Sequence, residues 1–265
     1  VLASGLMLAT WAASADQGIV AYDNNLSLSF ARRHVEYGER LAPPNGPYFD
    51  TESGFINGGR VAISGMGSDG INNLYLHLSY TQTTGKLNYV GGINGTTTSL
   101  VESTHAHMTD IGVRLGQGFA VAEHMMLVPY LAYGSHHWGR GQAAGVTNPH
   151  DYYESYRNNY LGLGVLWQME PIHHFITTLN LAYGTTVHPT ITAPAIGFAE
   201  GLGTKPWKRA GVTLDYLLGP SESVFASATY TQFQYGAGPV LASGYYEPFS
   251  QTGITDYNVG ARFFF

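Results

Sequence analysis

The feature that most constrains this chain is an alternation of apolar and polar residues with a period of two. In the segment "ITDYNVGARFFF", Tyr257, Val259 and Phe263 share one parity, whereas Asp256 and Asn258 share the other. Successive side chains of a β-strand point to opposite faces, so a period of two is typical of a strand with one apolar and one polar face. The chain is therefore expected to fold into strands with an apolar surface that something must cover.

Segments with this alternation recur at nearly even spacing from one end of the chain to the other. They cover residues 24–37, 54–66, 72–84, 104–118, 124–138, 153–168, 174–188, 207–219, 223–236 and 253–265. Each has at least the roughly 9–11 residues that a tilted strand needs to cross a bilayer. The sequence thus predicts ten strands of membrane-spanning length.

The connections between these segments alternate in length. The short ones include "GSDGI", "FAVAEH", "MEPIH" and "GPSES", whereas the long ones, rich in Gly, Pro, Asn and Thr, cover 38–53, 85–103, 139–152, 189–206 and 237–252. Short turns at one end and long loops at the other are typical of outer-membrane barrels. Because every backbone polar group in lipid must be paired, the sheet must also close. We predict an all-β fold: a ten-stranded antiparallel transmembrane β-barrel with short periplasmic turns and long extracellular loops.

Composition agrees with such a fold and excludes several classes of protein. Only 11% of the residues are charged, against about 25% in soluble proteins, while the chain has 34 glycines and 19 tyrosines. A net charge of −6 without a basic cluster argues against a nucleic-acid partner. The absence of cysteine excludes disulfides and thiolate metal sites. No phosphate-binding or dinucleotide-binding motif occurs, so we expect no cofactor.

The first residues have the character of an export signal. The stretch "VLASGLMLATWAASADQ" is apolar, and Ala13-Ser14-Ala15 fits an A-x-A cleavage site before Asp16. We expect residues 1–15 to be a signal-peptide remnant and 16–265 to form the single barrel domain of an exported protein. A short buried N-terminal helix is the alternative reading of the same stretch.

The last strand carries a resemblance to a known family. With Tyr257, Phe263 and Phe265 on one parity, it resembles the C-terminal signature of bacterial outer-membrane β-barrel proteins, of the OmpA/OmpX-like and porin-like kind. The resemblance implies that these three residues form an assembly signal read by the barrel-assembly machinery. It also implies a location in the outer membrane of a Gram-negative bacterium, in contact with outer-membrane lipid and lipopolysaccharide.

If the apolar parity faces lipid, the polar parity places charged side chains in the lumen. The predicted lumen charge network consists of Arg60, Asp110, Arg114, Arg209, Asp215, Asp256 and Arg262. An arginine facing lipid at mid-depth costs about 2–4 kcal/mol, which the inward position avoids. Two interpretations stay open: a plugged interior held by ion pairs, and a narrow polar pore.

Histidines are concentrated near the predicted outer strand ends. His105 and His107 share a face at i and i+2, and His136 and His137 lie on the next strand, so these four are rim candidates for a metal ion. The alternative is that histidine is simply tolerated at the membrane interface. We expect no metal site.

Enzymatic outer-membrane barrels provide a further alternative. The omptin proteases use an acidic pair and an Asp-His pair at the outer rim. This chain offers Asp50 and Glu52 but no Asp-x-His motif. We therefore expect a non-enzymatic barrel with a structural or surface-binding, adhesin-like role. A narrow channel for small polar solutes is the second possibility, and an omptin-like protease is the third.

Overall fold

The computed structural model describes residues 17–40, 48–67, 72–92, 99–141, 152–240 and 246–265. Their regular elements, in chain order, are α1 (Gln17–Tyr22), β1 (Asn25–Arg40), β2 (Thr51–Gly67), β3 (Leu74–Gly92), β4 (Ser99–Gln117), β5 (Phe119–Ala122), β6 (Met125–Arg140), β7 (Glu154–Ile172), β8 (Phe175–Ala193), a 3₁₀ turn (Pro194–Ile196), β9 (Phe198–Gly201), β10 (Pro206–Leu217), β11 (Glu222–Tyr235) and β12 (Phe249–Phe264). The predicted signal-peptide remnant, residues 1–15, lies outside the described residues.

Ten long strands form one antiparallel sheet that closes on itself. The order around the barrel is β1-β2-β3-β4-β6-β7-β8-β10-β11-β12, and β12 pairs with β1 from Asn25↔Phe264 to Arg40↔Phe249. Closure leaves neither edge of the sheet with unpaired backbone groups, as a sheet in lipid requires. The predicted all-β, ten-stranded antiparallel barrel is confirmed.

Several boundaries differ from the prediction. The predicted loop 85–103 is wrong over most of its length, because β3 continues to Gly92 and β4 begins at Ser99. The two strands remain paired in this region, with Lys86 opposite His105. Backbone hydrogen bonds between strands do not require an apolar outer face. The predicted turn "FAVAEH" contains β5, which forms a small hairpin with β6.

The outer face of the barrel carries a belt of exposed apolar side chains. Leu163 on β7, Leu181 on β8 and Val259 on β12 are 69%, 59% and 66% exposed. Aromatic residues on the same outward face lie towards the two borders of the belt: Tyr80, Tyr133, Tyr183 and Tyr257 on one side, Trp167, Tyr216 and Phe263 on the other. An apolar band flanked by aromatic girdles is the surface that membrane barrels present to lipid.

The strands are longer than the belt. On β7 the outward apolar residues end at Leu161, although the strand continues to Glu154 at the loop end, and the outward positions beyond Leu161 are Asn159 and Arg157. The end of the barrel where 218–221 joins β10 to β11 is called the turn end, and the end where 194–205 joins β8 to β10 is called the loop end. The barrel wall thus extends past the membrane at the loop end, with a polar outer surface.

No helix in the described part of the chain is long and apolar enough to cross a membrane.

The position of the belt predicts where a charge destabilises the barrel. Leu163→Arg should lower the free energy of unfolding by about 2–4 kcal/mol, because it puts an arginine near mid-depth in lipid. The control Leu218→Arg, 56% exposed just after β10 at the turn end, should cost about 0–1 kcal/mol. Denaturant unfolding of both variants in lipid vesicles measures the difference, and equal costs would argue against this placement of the belt.

Candidate functional site in the barrel lumen

The seven charged residues predicted to face the lumen all lie on the inner side of the wall, and they fall into three sets. Asp110 and Asp256 surround an arginine that was not predicted, Arg33. Asp215 pairs with Arg262. The remaining predicted residues, Arg60, Arg114 and Arg209, line a common cavity.

Arg33 is the centre of the first set. It is 2% exposed, and its Nε lies 2.6 Å from Asp256 Oδ1 while its Nη1 lies 2.6 Å from Asp110 Oδ2. The second oxygen of Asp110 lies 2.7 Å from Nδ1 of His136. One guanidinium thus joins strands β1, β4 and β12 through charge-assisted hydrogen bonds, which are the stronger kind.

Arg33 was missed because the parity of β1 was not assigned from the sequence. The signal was available: Leu26, Leu28 and Phe30 are exposed on the outer face, so odd-numbered positions of β1 face inward. His136 was considered only as a rim histidine, whereas it is fully buried in the lumen.

The second set attaches the short helix α1 to the turn end of the lumen. Asp215 is fully buried; Arg262 Nε lies 2.7 Å from its Oδ1, and the Tyr22 hydroxyl of α1 donates to its Oδ2 at 2.6 Å. Ile19 of α1 is also fully buried in the hydrophobic cluster at this end. Asn24, the second residue after α1, accepts a hydrogen bond from the Met66 backbone N–H at 2.9 Å. The helix therefore fills the turn end from inside.

A further group, which the sequence did not predict, lies at the loop end and is called the mouth layer. It consists of Tyr37, Glu39, Glu52, Trp138, Arg140, Glu154, Tyr156 and Glu247. Arg140 is at its centre: its Nη1 lies 3.4 Å from Glu39 Oε1, and its Nε lies 3.3 Å from both Glu52 Oε1 and Glu154 Oε2. Arg140 is 7% exposed. The residues of the mouth layer come from segments that are far apart in sequence. The alternation of residues within each strand could therefore not show that these segments meet.

Glu247 adds a fourth acid to the mouth layer, from the segment before β12. Burial raises the pKa of its carboxyl well above the usual range, and the nearby acids Glu39 and Glu154 raise it further. The Tyr156 hydroxyl donates to Glu247 Oε1 at 2.6 Å, and the Tyr37 hydroxyl donates to Glu39 Oε1 at 2.7 Å. Arg140 contacts three of the four acids directly, and the raised pKa of the fourth favours its uncharged form.

Aromatic rings fill the space around these polar groups. Trp138 stacks on Tyr156 with ring centroids 5.6 Å apart, and Tyr37 meets Trp138 edge-on at 5.0 Å. Deeper in the lumen Tyr160 stacks on Trp207 at 4.7 Å. The five-ring group Tyr37, Trp138, Tyr156, Tyr160 and Trp207 is at most 4% exposed. The loop half of the lumen is therefore packed with side chains rather than open.

Below the mouth layer, described residues line two cavities. The larger, of about 120 Å³, is lined by Arg60, Arg114, Arg209 and Arg262, and it extends to Tyr22 of α1. The smaller, of about 30 Å³, lies beside Arg33 and Asp110.

The rim histidines are not brought together. His105, His107 and His137 lie on the outer face of the wall, whereas His136 faces the lumen. The rings of His107 and His137 are 6.4 Å apart, edge to face. In the described residues, no three His, Cys, Asp or Glu side chains form a group that could hold a metal ion.

The three residues of the predicted assembly signal lie on the lipid side of the barrel. Tyr257, Phe263 and Phe265 are 45%, 45% and 72% exposed. Their role in assembly stays a prediction.

Comparison with known proteins extends only to the fold. No protein-family model matches the chain, and no curated protein matches it in sequence. Among solved structures it is similar to the outer-membrane protease OmpT from Escherichia coli, with a TM-score of 0.55 and 9% identity, covering 91% of this chain and 95% of that one. It is also similar to OprG from Pseudomonas aeruginosa (TM-score 0.37, 11% identity, 91% and 97% covered) and to Ail from Yersinia pestis (TM-score 0.34, 13% identity, 92% and 99% covered).

At such low identity, the likeness to OmpT shows a shared fold and nothing about activity. Together with the closed sheet and the apolar belt, it identifies the fold as that of a bacterial outer-membrane β-barrel. The predicted fold and outer-membrane location are confirmed.

Because Arg33 holds two buried carboxylates, we expect its substitution to destabilise the folded barrel strongly. Arg33→Gln should lower the free energy of unfolding by about 3–5 kcal/mol, because it leaves Asp110 and Asp256 without their buried partner. The neighbouring Arg32→Gln is the matched control, since Arg32 is exposed on the outer face of the same strand, and should cost less than about 1 kcal/mol. Urea unfolding in detergent compares them, and similar costs would contradict a stabilising role for the Arg33 ion pairs.

We expect Asp23, in the turn between α1 and β1, to make the free energy of unfolding depend on pH. Burial raises the pKa of its carboxyl from 3.8 to about 7, so the folded protein retains a proton that the unfolded chain releases. Its contribution to stability is therefore fully present below pH 3.8 and is lost as the pH rises to about 7.

Asp23→Asn should remove this part of the pH dependence, whereas Glu222→Gln, at an exposed position at the turn end, should leave it unchanged. The measurement is the urea midpoint of the three proteins across the interval from about pH 4 to about pH 8. A wild-type slope that persists in Asp23→Asn would show that Asp23 is ionised in the folded barrel throughout.

Proposed function

We propose that this protein is a non-enzymatic outer-membrane barrel with a closed polar lumen, acting as a structural or surface-binding protein through its loop end. The observation that supports this proposal is that the lumen is filled from both ends. Side chains of the mouth layer occupy the loop end, and α1 occupies the turn end. A barrel filled in this way can bind partners through its outer wall and its loops, but its interior cannot serve as a passage for solutes.

The packing gives this closure a physical basis. A buried charge is tolerated only when it is paired and hydrogen-bonded. Arg140 has three carboxylates within 3.4 Å, and Arg33 has two at 2.6 Å. Opening the lumen would separate these groups together with the rings packed around them. The filled state is therefore expected to persist rather than to alternate with an open one.

A narrow channel for small polar solutes is the second candidate, and the cavity of about 120 Å³ is the observation in its favour. Solute passage would require both the mouth layer and α1 to move. Since Tyr22 of α1 is bonded to the buried Asp215 at 2.6 Å, such movement breaks a charge-assisted hydrogen bond. The channel is thus the less favoured role.

The likeness to OmpT raises the third candidate, a protease. An Asp-His pair does exist in space, between Asp110 and His136 at 2.7 Å. However, His136 is fully buried and stacks on Phe233 at 4.6 Å, and Glu52 of the predicted acidic pair is 1% exposed beside Arg140. A general base must reach its substrate, and these groups offer no access to a peptide.

The proposed function also defines the surroundings of the barrel. Outer-membrane lipid and lipopolysaccharide would contact the apolar belt, and the barrel-assembly machinery would insert the chain. With the turn end in the periplasm, the polar wall above the belt and the 194–205 connection would lie outside the cell. An extracellular ligand would then meet the loop end, with no role for nucleic acid.

Planar-bilayer conductance tests the closed lumen. We expect the wild-type barrel to show no persistent ion current, because side chains fill both ends. A variant lacking residues 17–22 and carrying Trp138→Ala and Tyr156→Ala should conduct, since both obstructions are removed. The control Tyr133→Ala with Tyr183→Ala, at two exposed tyrosines of the outer face, should remain silent. Wild-type currents as large as those of the opened variant would favour the channel.

A further inference from the structure

Among the residues that the structure describes, three arginines of the lumen have no carboxylate partner. Arg60, Arg114 and Arg209 line the larger cavity, and in the described residues none of them has a carboxylate oxygen within 4.0 Å. Arg60 reaches only the Thr81 hydroxyl at 3.4 Å, and Arg209 reaches the Thr231 hydroxyl at 3.1 Å. These are weak substitutes for a counter-ion.

The acids near the cavity are already engaged. Arg33 holds Asp110 and Asp256, and Arg262 holds Asp215. Asp23, which lines the cavity together with Asp256, accepts a hydrogen bond from Gln168 at 2.8 Å. Burial raises the pKa of Asp23 to about 7, which weakens it as a counter-ion near neutral pH. The cavity therefore carries an excess of positive charge.

Polar atoms without a partner lie on the same wall. His77 Nδ1 and Thr178 Oγ1 are buried and have no hydrogen-bond partner within the protein, and both residues line the larger cavity. A hydroxyl and, in one tautomer, an imidazole nitrogen can each donate to an anion. Buried polar groups are normally satisfied, so these atoms indicate that the cavity accommodates a polar guest. Its volume of about 120 Å³ exceeds the roughly 30 Å³ that one water occupies in the liquid.

We propose that this cavity binds a small inorganic oxyanion, of the phosphate or sulfate type, between the guanidinium groups of Arg60, Arg114 and Arg209. Guanidinium groups bind such anions with paired, charge-assisted hydrogen bonds. Burying an uncompensated charge is costly, and a bound anion removes that cost for several arginines at once. The anion acts as an internal counter-ion that stabilises the folded barrel. This inference does not depend on the closed-lumen proposal, because a conducting lumen could hold the same anion.

The first test is the dependence of stability on anion concentration. The barrel is refolded in detergent with sodium phosphate or sulfate, at an ionic strength held constant with a bulky sulfonate salt, and unfolded in urea. We expect the urea midpoint to rise with the logarithm of the phosphate concentration, as ligand binding to the folded state requires. Arg60→Gln, Arg114→Gln and Arg209→Gln should each weaken that rise. Arg157→Gln, an exposed outward position on β7, should keep it.

The second test measures binding directly on the wild-type barrel, so its main result does not depend on whether the variants fold. Wild-type barrel is refolded with radiolabelled phosphate and passed through gel filtration in phosphate-free buffer. Retention of a stoichiometric amount of label, competed by unlabelled sulfate during refolding, would support the site. Arg209→Lys, which keeps the charge but loses the paired donors, should retain less. No retained label together with an anion-independent urea midpoint would overturn the proposal and leave water as the occupant of the cavity.

Discussion

The pairing of β12 with β1 is the interaction on which the rest of the structure depends. In lipid, an unpaired backbone N–H or C=O costs several kcal/mol, so a sheet of this size is stable there only when its first and last strands meet. Closure along Asn25↔Phe264 to Arg40↔Phe249 makes the wall one strand thick everywhere. Each residue that points into the lumen is then followed along its strand by a residue that points outward. A strand whose outer face contacts lipid therefore has its other face in the lumen.

That coupling explains why a chain with few charges still concentrates them inside. The outer belt excludes charge, so arginine and aspartate at strand positions level with the belt lie on the inner face, in a lumen narrow enough for side chains of non-adjacent strands to touch. Arg33 on β1 meets Asp110 on β4 in this way. The interior is held by cross-lumen ion pairs and stacked rings, which do in this barrel what a hydrophobic core does in a soluble domain.

The lumen is also organised along the barrel axis. Acid groups dominate the mouth layer, where Glu39, Glu52 and Glu154 share Arg140, and Glu247 accepts a hydrogen bond from Tyr156. Unpaired arginines dominate the larger cavity nearer the turn end. Rings such as Tyr160 and Trp207 lie between the two regions, and the attraction between opposite charges falls as the distance between them grows. Each region must therefore find its own compensation, by protonation at the mouth and by the proposed anion in the cavity.

The sequence by itself determined the number of barrel strands, their antiparallel arrangement and the face on which Arg60, Asp215 or Arg262 lies. It could do so because alternate residues of a strand point to opposite faces of the barrel wall. Only the tertiary structure determined which side chains contact one another in the lumen. The contact of Arg33 with Asp256, the Asp110–His136 pair, the mouth layer and the docking of α1 all join residues far apart in sequence. Those contacts depend on strand tilt, on register and on distances across the lumen, none of which alternation within a single strand encodes.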